Sequence, residues 1–328
     1  MSAINSPKDV SVKVYHGYGH MHDLIIYGHV LEQGIAERRY TNNILSNTLH
    51  LLRLFLVKPL AGIKVQLIWR SQLIDSTTEH DGFFKFEWAS LGTVTAGWHE
   101  VTVRALNETG NIVASAKGEV FVPHITQYAF ISDIDDTVMV SHSATTFRRM
   151  KALITKNPRR RKAFEDVVQH YKLLALAHTT AAVPNPFFYV SSSEWNLYDD
   201  LDDFFFHNDL PKGSFLLSQI KRWYQLLKTG KTKHEAKLMK VYRILKVFPQ
   251  QKFVLFGDNS QADPFIYEMI ARRYPRNIFA VYIRNVVSKN VAVTQGLLNS
   301  IGQSGIHTCF FVDNEEAIKH SQEIGLID

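Results

Sequence analysis

The sequence predicts two domains: a small antiparallel β-domain, then an α/β domain with a parallel sheet and a helical insert. Three observations carry this. From about residue 11 to 122 apolar and polar residues alternate, as in Lys64-Val65-Gln66-Leu67-Ile68-Trp69 and Glu100-Val101-Thr102-Val103-Arg104-Ala105, which is the period of a half-buried strand. After Pro123 short continuous apolar runs alternate with helical patterns, as strands buried on both faces between helices require. The chain has 328 residues, 45% of them apolar and 21% charged, which is enough for two cores and excludes disordered and fibrous classes.

The first domain is read as residues 1–125, with turns at Asp81-Gly82 and Asn107-Glu108-Thr109-Gly110. Residues 43–57 interrupt the alternation with Ile44, Leu45, Leu49, Leu52, Phe55 and Leu56 at helical spacing; packing on the sheet is favoured over a membrane-facing role. His16, His20 and His22 lie among glycines and read as a loop rather than a metal site. The second domain is read as residues 126–328, with strands at 128–132, 187–191, 215–218, 252–257, 278–283 and 308–312. The stretch 138–186 exceeds a simple crossover and is read as an inserted cap.

The net charge of +6 favours anionic partners without choosing among them. Much of it sits in one segment, where Arg148, Arg149, Lys151, Lys156, Arg159, Arg160, Arg161 and Lys162 fall within fifteen residues without an acid. A single cysteine, Cys309, rules out an internal disulfide and a multi-cysteine zinc site. The N-terminus lacks a signal-peptide profile, and the longest apolar stretch, 51–60, is broken by Arg53, Lys58 and Pro59. No transmembrane segment is expected, and the expected location is cytoplasmic, with peripheral membrane attachment left open.

The chemistry concentrates at strand ends. Asp133 and Asp135 follow the apolar run Ala129-Phe130-Ile131, so they emerge at the carboxyl edge of the sheet, where ligands of open α/β sheets bind. A calcium loop starting at Asp133 fails, because its sixth and twelfth positions are Val138 and Ala144 instead of Gly and Glu. Asp258 leaves a second such strand, after Gly257. Two parallel strands can bring Asp133, Asp135 and Asp258 around one hard divalent cation, and Mg²⁺ with phosphate suits an oxygen-only site. Ser191 and Ser192 end a further strand, and residues 194–206 look helical, so hydroxyl and helix N–H groups together suit a phosphate. One of Ser192 and Ser193 is expected to cap that helix. Lys237 shares a helical stripe with Val241, Ile244 and Phe248 and is chosen as the phosphate-neutralising lysine over Lys233 and Lys240.

In this order, Asp133-x-Asp135-x-Thr137, Ser191, Lys237 and Gly257-Asp258 with Asp263 resemble the haloacid dehalogenase (HAD) phosphohydrolase superfamily. Ile131-Ser132-Asp133-Ile134-Asp135-Asp136-Thr137, Tyr189-Val190-Ser191-Ser192-Ser193, Phe253 through Pro264 and Tyr282-Ile283-Arg284 are similar to the App1-like phosphatidate phosphatase family. The chain departs from that family's pattern at Glu194, Ala236 and Asn259. The resemblance implies a HAD-like Rossmannoid sheet with a cap, preceded by a β-sandwich of transthyretin or carboxypeptidase-regulatory kind.

It also implies that Asp133 attacks phosphorus, that Asp135 works as acid and base, and that Mg²⁺ is held by Asp133, Asp258 and the carbonyl of Asp135. Ser191, Ser192 and Lys237 would hold phosphoryl oxygens, with Thr137 and Asp263 behind them. The implied substrate is phosphatidate, with the basic segment, Arg148 to Lys162, touching an anionic membrane. The alternatives are a phosphatase of a soluble or nucleic-acid phosphomonoester, with nucleic acid the less expected partner, and a non-catalytic phosphatidate-binding module. Retention of both Asp133 and Asp135 argues against the last.

Overall fold

The computed structural model describes residues 10–32, 56–134, 165–220 and 233–328. These fall into two compact units, one drawn from Met1–His124, Glu194–Tyr198 and Gln219–Lys228, the other from Ile125–Ser193, Asp199–Ser218 and Thr229–Asp328. The predicted helix at 43–57 lies, apart from its last two residues, outside the described part.

The first unit holds β1 (Val10–Val14), β2 (Gly17–His20), β3 (Asp23–Glu32), β4 (Lys58–Pro59) and β5 (Lys64–Trp69). It continues with β6 (Gln72–Thr77), β7 (Phe83–Trp88), β8 (Gly97–Leu106) and β9 (Ile112–Val122). All nine join one sheet along the path β1-β3-β2-β9-β8-β5-β6, with β4 and β7 paired to β3. Alternation in the sequence becomes alternation in burial: along β5, Val65, Leu67 and Trp69 are buried while the residues between them are not. They pack with Leu24, Ile26, Phe84, Phe86, Val101 and Val103.

The sheet is mixed, not purely antiparallel as the sequence predicts, because β2 pairs with β9 in parallel. The two strands are too far apart in sequence for a hairpin, so no turn dictates their direction. The Asp81-Gly82 turn forms as expected. Gly82 has φ +74°, and a Cβ there would lie 2.6 Å from the Val30 carbonyl oxygen, so only glycine fits. His20 closes β2 rather than lying in a loop.

The second unit begins with β10 (Tyr128–Ser132), α1 (Glu165–Leu176), β11 (Phe187–Glu194) up to Ser193, α2 (Tyr198–His207) from Asp199, and β12 (Ser214–Ser218). It ends with α3 (Lys233–Val247), β13 (Lys252–Asp258), α4 (Asp263–Arg273), β14 (Ile278–Arg284), α5 (Val291–Gly302), β15 (His307–Phe311) and α6 (Asn314–Glu323). The six strands form a second sheet in the order β12-β11-β10-β13-β14-β15. The β10–β11, β10–β13, β13–β14 and β14–β15 pairs are all parallel. Their central residues are buried without alternation: Ala129, Phe130, Phe253, Val254, Leu255, Ala280 and Val281 are each 0% exposed. That is why these strands read as continuous apolar runs.

Two sequence expectations change here. The predicted helix from residue 194 begins instead at Tyr198, after a short 3-10 turn, and the three serines stay in β11. No serine caps the turn, since the residue before it is Glu194, which makes no side-chain capping bond. Of the segment 138–186 read as a cap, residues 138–164 lie outside the described part. The remainder contains α1, which packs on the sheet: the His170 ring meets Phe256 at 5.7 Å and Tyr171 meets Phe187 at 5.4 Å. Asn185 closes this helix by donating to the Leu174 and Ala177 carbonyls, both at 2.8 Å.

Candidate active site

Counted from β10 along the chain, the strands of the second sheet stand in the order 3-2-1-4-5-6. The chain therefore winds outward in both directions from β10 and β13, and helices part at their carboxyl ends to leave a crevice. Asp133 follows β10 and Asp258 ends β13, and the register Ser132↔Phe256 puts both at that edge. The Asp133 N–H donates to the Phe256 carbonyl at 2.9 Å, which fixes the backbone where the first carboxylate leaves the sheet.

Lys237 arrives from the second turn of α3 on the stripe that the sequence predicts: Val241 and Ile244 are 0% exposed and Lys237 is 6% exposed. Its ammonium donates to Asp133 Oδ1 at 2.7 Å and to Asp263 Oδ1 at 2.5 Å. Asp263 opens α4, where a carboxylate is also favoured by the helix dipole. Gly257 makes the approach of α4 possible, because a Cβ there would sit 2.5 Å from Asp263 Oδ2 and 2.8 Å from its Cβ.

Carboxylate oxygens of Asp133, Asp258 and Asp263 lie within 4.8 Å of one another, and all three residues are buried. Burial works against the charge of Lys237, but the Asp133 and Asp263 carboxylates outweigh it and hold its pKa above the ordinary lysine value. Asp258 is the unbalanced member. Burial and the Asp263 charge push its carboxyl up to about 7, against a pull downward from the Ser260 contacts. Its Oδ1 accepts the Ser260 N–H at 2.5 Å, while Oδ2 is buried with no hydrogen-bond partner among the described residues. Three clustered acids, one carrying a buried acceptor of this kind, fit a hard divalent cation such as Mg²⁺.

The structure brings together Asp133, Lys237, Asp258 and Asp263. Asp135, Thr137, Arg148, Arg149, Lys151, Arg159, Arg160 and Arg161 lie outside the described residues. Ser191 is fully buried two residues past the Ser132↔Tyr189 pair, at the same edge as Asp133. Its hydroxyl accepts the Ser193 N–H at 2.9 Å. Ser192 is half-buried. The strand runs on through Glu194, and α2 begins four residues later, at Tyr198.

Four residues escaped the sequence reading or were undervalued by it. Lys240 falls one turn beyond Lys237 and donates to the Ser191 carbonyl at 2.9 Å, so it braces the end of β11. Tyr171 is buried against Ser132 Oγ at 2.7 Å, and that hydroxyl donates to the Asp133 carbonyl at 2.6 Å. A serine has one proton, so Tyr171 is the donor of the first bond and the relay runs towards Asp133. Asn259 clamps the neighbouring loop, with Oδ1 accepting the N–H groups of Val286 and Val287 at 2.7 and 2.8 Å. Arg284 ends β14 opposite Asp258 and is 7% exposed. Burial lowers its pKa, partly offset by Tyr171, Asp313, Asp166 and Asp258. The signal available for Arg284 was the one that found Asp258, a charged residue terminating a continuous apolar run.

Residues 128–285 match the family model described as phosphatidate phosphatase APP1, catalytic domain, and over this stretch the chain is App1-like. The chain is similar to phosphatidate phosphatase APP1 of Saccharomyces cerevisiae, with 31% identity over 154 residues, 47% of this chain and 25% of that protein. An uncharacterized protein of Schizosaccharomyces pombe is 26% identical over 179 residues, 54% of this chain and 28% of its own length. The match thus spans about a quarter of the length of these relatives. Among solved structures, a carbohydrate acetylesterase from Xanthomonas citri aligns with 94% of this chain and 72% of its own, at 6% identity and a TM-score of 0.33. A likeness of that size bears on neither fold nor activity.

Proposed function

We propose that the second unit is a HAD-like Rossmannoid phosphohydrolase that cleaves phosphatidate to diacylglycerol and inorganic phosphate. The observation that carries this is Asp133: a buried strand-end carboxylate held by Lys237 at 2.7 Å beside Asp258 and Asp263. The 3-2-1-4-5-6 strand order and the match of residues 128–285 to the phosphatidate phosphatase family support it.

In this reading an Asp133 carboxylate oxygen attacks phosphorus in line, forming the aspartyl-phosphate as the bond to the glycerol oxygen breaks. Asp135 gives the departing alkoxide its proton, then removes one from the water that attacks phosphorus and releases Asp133. Lys237, set between Asp133 and Asp263, offsets charge on the phosphoryl oxygens, and Ser191 orients them. Mg²⁺ would be held by Asp133 and Asp258 with the carbonyl of Asp135, and when bound it supplies Lewis-acid neutralisation of the transferring phosphoryl group. Lys237 keeps Asp133 ionised and pointed; Asp263 keeps Lys237 in place.

The test is phosphate release from phosphatidate in mixed micelles with Mg²⁺, beside soluble phosphomonoesters, with Asp133→Asn as control. Release from phosphatidate that vanishes in the control is expected. Release only from soluble esters would keep the mechanism and change the substrate. Vesicle binding without any hydrolysis would make the protein a phosphatidate-binding module.

A further inference from the structure

The strand that carries Asp133 ends on a hydroxyl relay to which the reaction steps assign no role. The paired register of β10 and β13 stops at Ser132↔Phe256. The next rung of a parallel ladder would join the Asp258 N–H to the Asp133 carbonyl, but that N–H is directed to Asp263 Oδ2 at 3.4 Å. The Ser132 hydroxyl donates to the Asp133 carbonyl at 2.6 Å, and Ser132 Oγ in turn accepts the Tyr171 O–H at 2.7 Å. On the other side of the residue, the Asp133 N–H donates to the Phe256 carbonyl at 2.9 Å, and the Tyr267 O–H donates to that same carbonyl at 2.7 Å. Both backbone dipoles of Asp133 are therefore held, one by the sheet and one by side chains.

Packing does not account for the Tyr171 hydroxyl. Val167, Tyr171 and Leu174 lie on the buried stripe of α1, and the Tyr171 ring meets Phe187 and Phe256, each at 5.4 Å. A phenylalanine would fill that aromatic setting, whereas a hydroxyl buried there costs free energy unless it is bonded. Tyr282 provides the contrast. Its hydroxyl also donates to a buried serine, Ser321 at 2.8 Å, and Ser321 donates onward to the Ala317 carbonyl at 2.9 Å. That relay ends inside α6, while the relay from Tyr171 ends on the backbone of Asp133.

We propose that Tyr171 is a positioning residue: through Ser132 it draws the Asp133 carbonyl off the sheet ladder and so fixes the direction in which the attacking carboxylate leaves β10. The backbone has two soft dihedrals at each residue, and the two bonds hold one peptide group on either side of Asp133. With both dihedrals set, the path from Cα to the carboxylate is aimed before substrate arrives. In-line attack rewards that aim, because a reacting oxygen has to sit within about 0.5 Å of its productive place. Tyr171 touches no reacting atom and acts through the backbone, from a helix 39 residues away in the chain from Ser132. This role rests on the reading of Asp133 as the nucleophile.

Asp133-Ile134 is the sole Asp-Ile pair in the sequence, so the full chain labelled with ¹³C-carbonyl aspartate and ¹⁵N isoleucine gives one NMR cross-peak, whose carbon is the carbonyl in question. Tyr171→Phe keeps the ring and removes the donor, and Ser132→Ala removes the relay. Both are expected to move that carbon resonance in the same direction and to lower kcat on micellar phosphatidate about tenfold at unchanged KM. The double variant should be no slower than Ser132→Ala. Tyr282→Phe, the same chemical change aimed at Ser321, is expected to lose similar stability while keeping the parent's resonance and kcat. If Tyr171→Phe and Tyr282→Phe lose equal stability and neither moves the resonance or slows turnover, the hydroxyl serves packing and the proposal is overturned. A moved resonance with the parent's kcat in Tyr171→Phe overturns it too. A parent that releases no phosphate overturns the phosphatase reading, whereas a moved resonance in both relay variants still supports Tyr171 as the group that orients Asp133.

Discussion

Lys237 is the residue whose loss the catalytic edge tolerates least. It is 6% exposed and is the described ammonium that reaches both Asp133 and Asp263. Lys237→Met leaves two buried carboxylates facing each other, and breaking a buried pair from one side costs about 3–5 kcal/mol. Urea unfolding without divalent cation should show a loss of that size. Gly257→Ala acts through space. The added methyl meets Asp263, which cannot retreat without releasing Lys237, so a stability loss of about 1–3 kcal/mol should accompany a fall in kcat. A kcat equal to the parent's would show that the Lys237–Asp263 pair is not needed for turnover. At this scale much was legible. Asp133, Asp258 and Lys237 announce themselves because a charged residue ending an apolar run, or standing on an apolar stripe, has few structural excuses. Tyr171 does not, since a tyrosine in a helical apolar pattern reads as core and only the fold brings it to Ser132.

Among elements, the junction of β13 and β14 depends on one side chain. Asn259 accepts from the N–H groups of Val286 and Val287 and donates to Asn285 Oδ1 and the Val287 carbonyl. Asn259→Ala strands two backbone donors and should cost about 2 kcal/mol, measured as a shift in urea midpoint with unchanged m-value. Hydrogen exchange should quicken at Val286 and Val287 before it does in β13. Apart from the far end of β11, which runs three residues past the expected 187–191, the strands of the second sheet were legible to within about a residue, because burial on both faces removes polar residues from their middles. The start of α2 was not. Ser191, Ser192, Ser193 and Glu194 look like a capping sequence, yet they stay extended at the end of β11, and local propensity gives way to the strand.

Across the whole molecule, each unit carries a histidine that folding forbids to ionise. His29 lies in the first unit and His170 in the second. Burial, with Lys13 and His320 adding to it respectively, lowers each pKa to about 3. The unfolded chain takes up these protons near pH 6.5, the folded one near 3, so the stability they permit is complete above 6.5 and drains as pH falls between those values. The slope is about 1.4 kcal/mol per pH unit for each histidine. Urea midpoints followed from pH 7 to pH 4 should fall, and His170→Asn should flatten that fall for the transition of the second unit. A midpoint that stays level below pH 6 would mean that the imidazole opens to water. The hydrogen bond between Asp133 and Lys237 has one more implication. Its partners are 104 residues apart in the chain, and Asp258 and Asp263 come later still. During synthesis at some 5–20 residues per second Asp133 therefore waits about 5–20 s for Lys237 to be made. Over that interval the Asp133 carboxylate has to stay in water, so this edge of the sheet closes only when α3 and α4 have left the ribosome.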